Sequence, residues 1–147
     1  MPVYKGGSAG RDGNGGQVEL MQEDPLETLR SICLALPEAV EKGGVAPHTF
    51  RVRDKIFAMF MDDHHGDGRV AMWCKAPRGL QEDLVEADPD RFFVPPYVGV
   101  HGWIGMRLDG EVEWDEVAGL VEDGYRMTAP KRLAAQLQAG HGTGQVF

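Results

Sequence analysis

A chain of 147 residues with 42% hydrophobic and 26% charged residues has the length and composition of one globular domain. No stretch approaches the roughly 20 apolar residues of a membrane helix, and the polar, Gly-rich N-terminus lacks the apolar centre of a signal peptide. A net charge of -8 repels polyanions on average, which argues against general nucleic-acid affinity.

Residues 1–23 hold six glycines and few large apolar side chains, so they are expected to form a flexible tail. Met21, just before the first helix signal, is an expected natural translation start that the intact mass of native protein would test. Asp24, Pro25 and Glu27 then form a helix N-terminus: N-cap, first helical position and capping-box carboxylate. Leu26, Leu29, Ile32, Cys33 and Leu36 recur at helical spacing until Pro37.

From His48 the period shifts to two. Thr49–Val52 and Lys55–Met61 read as a hairpin around Arg53 and Asp54. A two-residue turn predicts Phe50, Val52, Phe57 and Met59 on one face and Arg51, Ile56, Ala58 and Phe60 on the other. Asp62 to Gly68 is a polar turn, and Arg69–Lys75 a third strand. Pro77 opens an amphipathic helix through Leu80, Leu84 and Ala87. Arg91–Tyr97 is an edge strand or strap, and Gly102–Leu108 another strand. The third helix starts at Glu113 and runs to Thr128. Pro130 interrupts it, and Lys131–Leu137 forms a last helical piece before a short C-terminal tail from residue 140.

The order α-β-β-β-α-β-β-α leaves no room for parallel crossovers. The expected fold is α+β: a two-layer domain over 24–139 with a single antiparallel sheet packed against helices. Cys33 and Cys74 lie in apolar periodic segments and are expected to be buried thiols, consistent with a cytoplasmic address.

Four patches together resemble the MmcQ/YjbR family. They are Cys33-Leu34-Ala35-Leu36-Pro37, His48 to Ala58, Tyr97-Val98-Gly99-Val100-His101-Gly102-Trp103-Ile104, and Ala129-Pro130-Lys131-Arg132-Leu133. The resemblance covers residues 26–137. It implies a two-layer fold like that of secretion chaperones and a DNA-binding role through a double-wing arrangement of β-structure.

Residues 48–78 carry six bases against four acids, whereas acids gather in 82–90 and 109–123. The nucleic-acid candidates are Arg51, Arg53, Lys55, Arg69, Trp73, Lys75, Lys131 and Arg132; on one sheet face Arg51, Arg69, Trp73 and Lys75 would join Phe60, combining cations for phosphate with rings for stacking. A solvated strand face with a few ion pairs is the competing structural explanation. DNA is the expected partner. A protein-interaction or dimerisation module that binds no nucleic acid, burying Ile56 and Phe60 on a second copy or on another chain, is the alternative, set against coverage of both residues by the protein's own helices.

His48, Tyr97, His101 and Trp103 could line a ligand pocket. His48, Tyr97 and His101, with Lys131, could in principle serve acid–base chemistry, and each also has an ordinary structural duty available. No nucleophile elbow, HExxH or phosphate loop is present, and Ser8 and Ser31 are the only serines. No enzymatic activity and no cofactor are therefore expected. His64 and His65, among Asp62, Asp63 and Asp67, are potential metal ligands, but their spacing fits neither a zinc nor a calcium signature, and no metal site is assigned.

Overall fold

The first helix, α1 (Pro25–Leu34), begins as its sequence dictates: the Asp24 carboxylate accepts from the Glu27 N–H at 3.2 Å, and Pro25 occupies the first turn. Only half of the capping box forms, because Glu27 turns its carboxylate to Arg30. The computed structural model describes residues 24–43 and 47–137. The expected tails and the Met21 start lie outside the described residues.

A short strand, β1 (Val40–Lys42), follows that three residues of sequence could not announce. The hairpin is β2 (His48–Val52) and β3 (Lys55–Asp62), antiparallel. Its turn residues have φ of 51° at Arg53 and 69° at Asp54, the two left-handed positions of a type I′ turn, taken here without glycine.

The register within this hairpin corrects the predicted faces. Phe50 pairs with Ala58, but Arg51 pairs with Ile56, so Phe57 is an extra residue in β3. Such a bulge reverses the alternation beyond it. Phe50, Val52, Phe57, Ala58 and Phe60 therefore share the helix-side core, whereas Met59 and Met61 join a separate cluster with Trp73.

A 3₁₀ turn (His64–Gly66) leads to β4 (Val70–Cys74). Helix α2 (Leu80–Ala87) starts three residues beyond Pro77, whose carbonyl accepts from the Leu80 N–H in a turn. Then come β5 (Phe92–Phe93), a 3₁₀ turn (Val98–His101), β6 (Ile104–Arg107), α3 (Trp114–Thr128) and α4 (131–137). The Pro130 carbonyl accepts from Leu133 and Ala134, restarting the helix after the proline break.

All six strands form one antiparallel sheet in the order β1-β2-β3-β4-β6-β5, so the fold is α+β with one sheet against helices. On one face α1 and α3 bury Leu29, Cys33, Val117, Val121 and Tyr125 against Phe50, Phe57, Met72 and Ile104. The Tyr125 ring meets Phe57 edge to face at 5.5 Å, a contact worth about 1 kcal/mol beyond burial, and its hydroxyl donates to the Pro37 carbonyl at 2.7 Å. The other face holds a second, smaller core: Met59, Met61, Ala71 and Trp73 with Phe93 of β5 and Val98 and Trp103 from the strap (residues 94–103).

Cys33 and Cys74 are both fully buried and unpaired, as expected. Among the described residues no helix is long and apolar enough to cross a membrane.

Candidate functional site

The cations of the sheet do not gather into one strip. Arg51 and Lys75 flank β3 at one end, where Arg51 pairs opposite Ile56 and the Lys75 N–H donates to the Phe57 carbonyl. Arg69 is six residues from Lys75, about 20 Å along extended chain. Arg51 donates to the Thr49 hydroxyl at 3.2 Å; Arg69 lies 3.9 Å from the centre of the Phe93 ring and 3.9 Å from the Asp67 carboxylate. Trp73 is 2% exposed, and its indole offers no free face for a base to stack on. Phe60, expected beside it, lies in the core on the opposite side of the sheet. Phe60 is thus covered and Ile56 half-buried, so the sheet face lacks the apolar pair that suggested a dimer.

The four other cations lie close together around the tip of the β2–β3 hairpin and the start of α4. Arg53 grips Glu38 with two bonds, at 2.7 and 3.3 Å, and the Arg132 field also reaches Glu38. Arg53 holds the Glu38 carboxyl below the usual range. Lys42 reaches Asp54 at 3.3 Å. Lys55, Lys131 and Arg132 are exposed. Lys42, Arg53, Lys55, Lys131 and Arg132 against Glu38 and Asp54 sum to +3 on a chain of net -8. Chain geometry explains the meeting: the Tyr125–Pro37 bond ties the segment carrying Glu38 to the end of α3, and α4 begins three residues beyond that helix.

The pocket candidates are divided by the sheet. His48 sits on the helix side, its Nδ1 2.8 Å from Glu41 and its ring 6.1 Å from Phe60. Glu41 is held in turn by Arg30 at 2.6 and 3.0 Å, and that guanidinium keeps its carboxyl below the usual range. Tyr97 and Trp103 belong to the strap on the far face, Trp103 buried and Tyr97 exposed, with His101 exposed at the end of the 3₁₀ turn. The structure therefore places Tyr97 and Trp103 on one side of the sheet and His48 on the other.

The polar loop after β3 meets the strap instead. The His64 and His65 rings lie 4.1 Å apart, 6.2 and 6.4 Å from Tyr97, and His64 rests 5.0 Å from Trp73. Asp63 and Asp67 spend their carboxylates on the N–H groups of Gly68 and Arg69, shaping the turn. Among the described residues no group of three or more His, Cys, Asp or Glu side chains could hold a metal.

Sequence reasoning missed Glu38, Glu41 and Gln81. Gln81 is buried on α2 and donates to the carbonyls of Gly99 at 2.9 Å and Trp103 at 2.6 Å, clamping the strap from beneath. Its position on a helix dominated by acids carries no signal of this duty.

No curated protein matches the chain. Among solved structures, a crystal structure of the Deinococcus radiodurans protein DR2400, with a DUF419 domain, aligns at 22% identity with a TM-score of 0.58, covering 69% of this chain and 76% of that one. At that identity the likeness speaks for the fold alone. The YjbR family model matches residues 34–127, spanning the sheet, the strap and nearly all of α3, and on that match the chain belongs to the YjbR family.

Proposed function

We propose that this YjbR-family protein is a non-enzymatic, cytoplasmic DNA-binding protein, and that it uses the hairpin end rather than the sheet face. The observation that carries the reading is the +3 group of Lys42, Arg53, Lys55, Lys131 and Arg132 with Glu38 and Asp54, distributed around the tip of the β2–β3 hairpin and the start of α4. Phosphate contacts need cations that can converge on one strand of charge, and among the described residues this end of the molecule offers such a group. The remaining acidic surface repels DNA, which orients the duplex toward this end and keeps affinity modest. Binding is driven by counterion release and carries little base specificity, because the cations, divided between the hairpin and the first residues of α4, serve phosphate contacts rather than base edges. The two buried, unpaired thiols support a reducing compartment.

Fluorescence anisotropy with duplex and single-stranded DNA over a salt series tests this. Binding at low salt is expected, with a clear salt slope. The double reversal Lys131→Glu with Arg132→Glu should weaken it at least about tenfold while Arg69→Glu changes it little. No binding at low salt, or equal loss from Arg69→Glu, ends the reading.

A further inference from the structure

We infer that the strap and the loop after β3 form a docking surface for a basic, apolar-containing segment of a partner protein, with the Tyr97 ring as its anchor. This surface lies at the opposite end of β3 from the hairpin cations, about 25 Å away along eight residues of strand, and the two stand or fall separately.

Three of the six exposed large hydrophobic side chains among the described residues fall on this strap: Val94 at 53%, Tyr97 at 74% and Val100 at 84% exposure. Scattered singly such residues need no explanation, but three within seven residues form a patch. Residues 94–103 contain no Asp, Glu, Lys or Arg, so nothing on the strap itself opposes an apolar partner.

The patch is rigid, and its rigidity is maintained against strain. The Val98 N–H donates to the Pro96 carbonyl at 2.7 Å around Tyr97, whose φ of 67° and ψ of -59° make the rare, strained form of γ-turn. A non-glycine residue stays there only when its surroundings enforce it. Here Pro95 and Pro96 restrict the approach, the Gly99 N–H bonds the Pro95 carbonyl at 3.0 Å, and Gln81 clamps Gly99 and Trp103. The result is an aromatic ring held outward, 74% exposed, with the His64 and His65 rings 6.2 and 6.4 Å from it at steep angles. A preordered aromatic residue loses little entropy on binding, which is the property of an interface anchor.

Charge selects the occupant. Residues 62–69 carry three aspartates against Arg69, and Arg69 is already engaged by Asp67 and the Phe93 ring. The surplus is negative beside an exposed phenol face. A guanidinium or ammonium over that face gains both the cation–π attraction and the carboxylate field, while its aliphatic stem and apolar neighbours cover Val94 and Val100. Nucleic acid is disfavoured on the same ground.

The probe is a short peptide alternating arginine and leucine, titrated into the ¹⁵N-labelled full chain, alongside its glutamate–leucine counterpart and a single-stranded oligonucleotide. Amide shifts confined to residues 63–68 and 94–102 are expected with the arginine peptide alone, weakening as salt rises. Tyr97→Ala should reduce affinity about tenfold with the rest of the spectrum unchanged, and Tyr97→Phe should retain it. Absence of shifts at millimolar peptide, equal shifts from the glutamate peptide, shifts at these residues from the oligonucleotide, or an unaffected Tyr97→Ala would each overturn the proposal.

Discussion

Gly124 of α3 lies against Lys75: a Cβ there would come 3.0 Å from the Lys75 carbonyl oxygen and 3.2 Å from that of Phe57. The helix thus crosses the strand pair at a separation that a Cβ at this position would force to widen by a few tenths of an ångström. Helix propensity alone predicts that Gly124→Ala stabilises by about 1 kcal/mol. Both obstructing atoms are backbone of paired strands and cannot swing aside, so a net loss of about 1–2 kcal/mol is expected instead. Urea unfolding measures it, and a more stable variant would refute the tight crossing.

Gln81 donates to two strap carbonyls at once. Gln81→Leu leaves the Gly99 and Trp103 carbonyls without their donor, at a cost of about 1–3 kcal/mol. The effect should be local. Hydrogen exchange is expected to accelerate across residues 97–103 while β2 and β3 keep their protection; uniform acceleration would show that the strap is not a separately tethered unit.

Glu41 couples stability to pH. Its carboxyl is depressed chiefly by the Arg30 guanidinium, with His48 adding to it, so its stabilisation is complete above the unfolded carboxylate range near pH ~4.3 and is lost as pH falls through the lower folded value. Asp109, held down by Arg107, adds in the same direction. Glu41→Gln should cost about 1–2 kcal/mol at neutral pH and almost nothing in strong acid, where the native carboxyl is protonated as well. Urea midpoints followed from neutral pH into acid report this as a flatter profile for the variant. Parallel profiles would remove Glu41 as the cause.

The thiols should be silent in the native state. Burial pushes Cys74 up to about 12 and Cys33 higher still, with each thiol fully covered by the helix-side core. A thiol reagent at mildly alkaline pH is expected to modify neither until the chain unfolds, with a labelling rate equal to the rate of opening. Fast labelling of one cysteine in folded protein would contradict that core.

Periodicity and punctuation make most of the fold legible in the sequence. The Asp24-Pro25 start of α1, the alternation of Val70, Met72 and Cys74 in β4, the Glu113 start of α3 and the break at Pro130 are local signals, and the structure follows each of them. The β1 strand was not legible, since three residues show no period, and Pro77 misplaced the start of α2 because its carbonyl closes a turn before the helix begins.

The candidate sites were legible only as residue types. Lys131 and Arg132 stand out in sequence, but nothing along the chain says that they lie by the tip carrying Arg53, which depends on where Tyr125 ties the segment after α1. His48, Tyr97 and Trp103 look alike as candidates, yet the sheet separates the first from the other two.

Sequence by itself determined the class of the fold, the hairpin, the starts of α1 and α3 and the burial of both cysteines, because caps, turns and apolar spacing act over a few residues. Tertiary structure alone decided which face each side chain meets. One extra residue at Phe57 reverses every later position of β3, and that bulge is set by pairing with β2 and β4, an energy no local pattern contains.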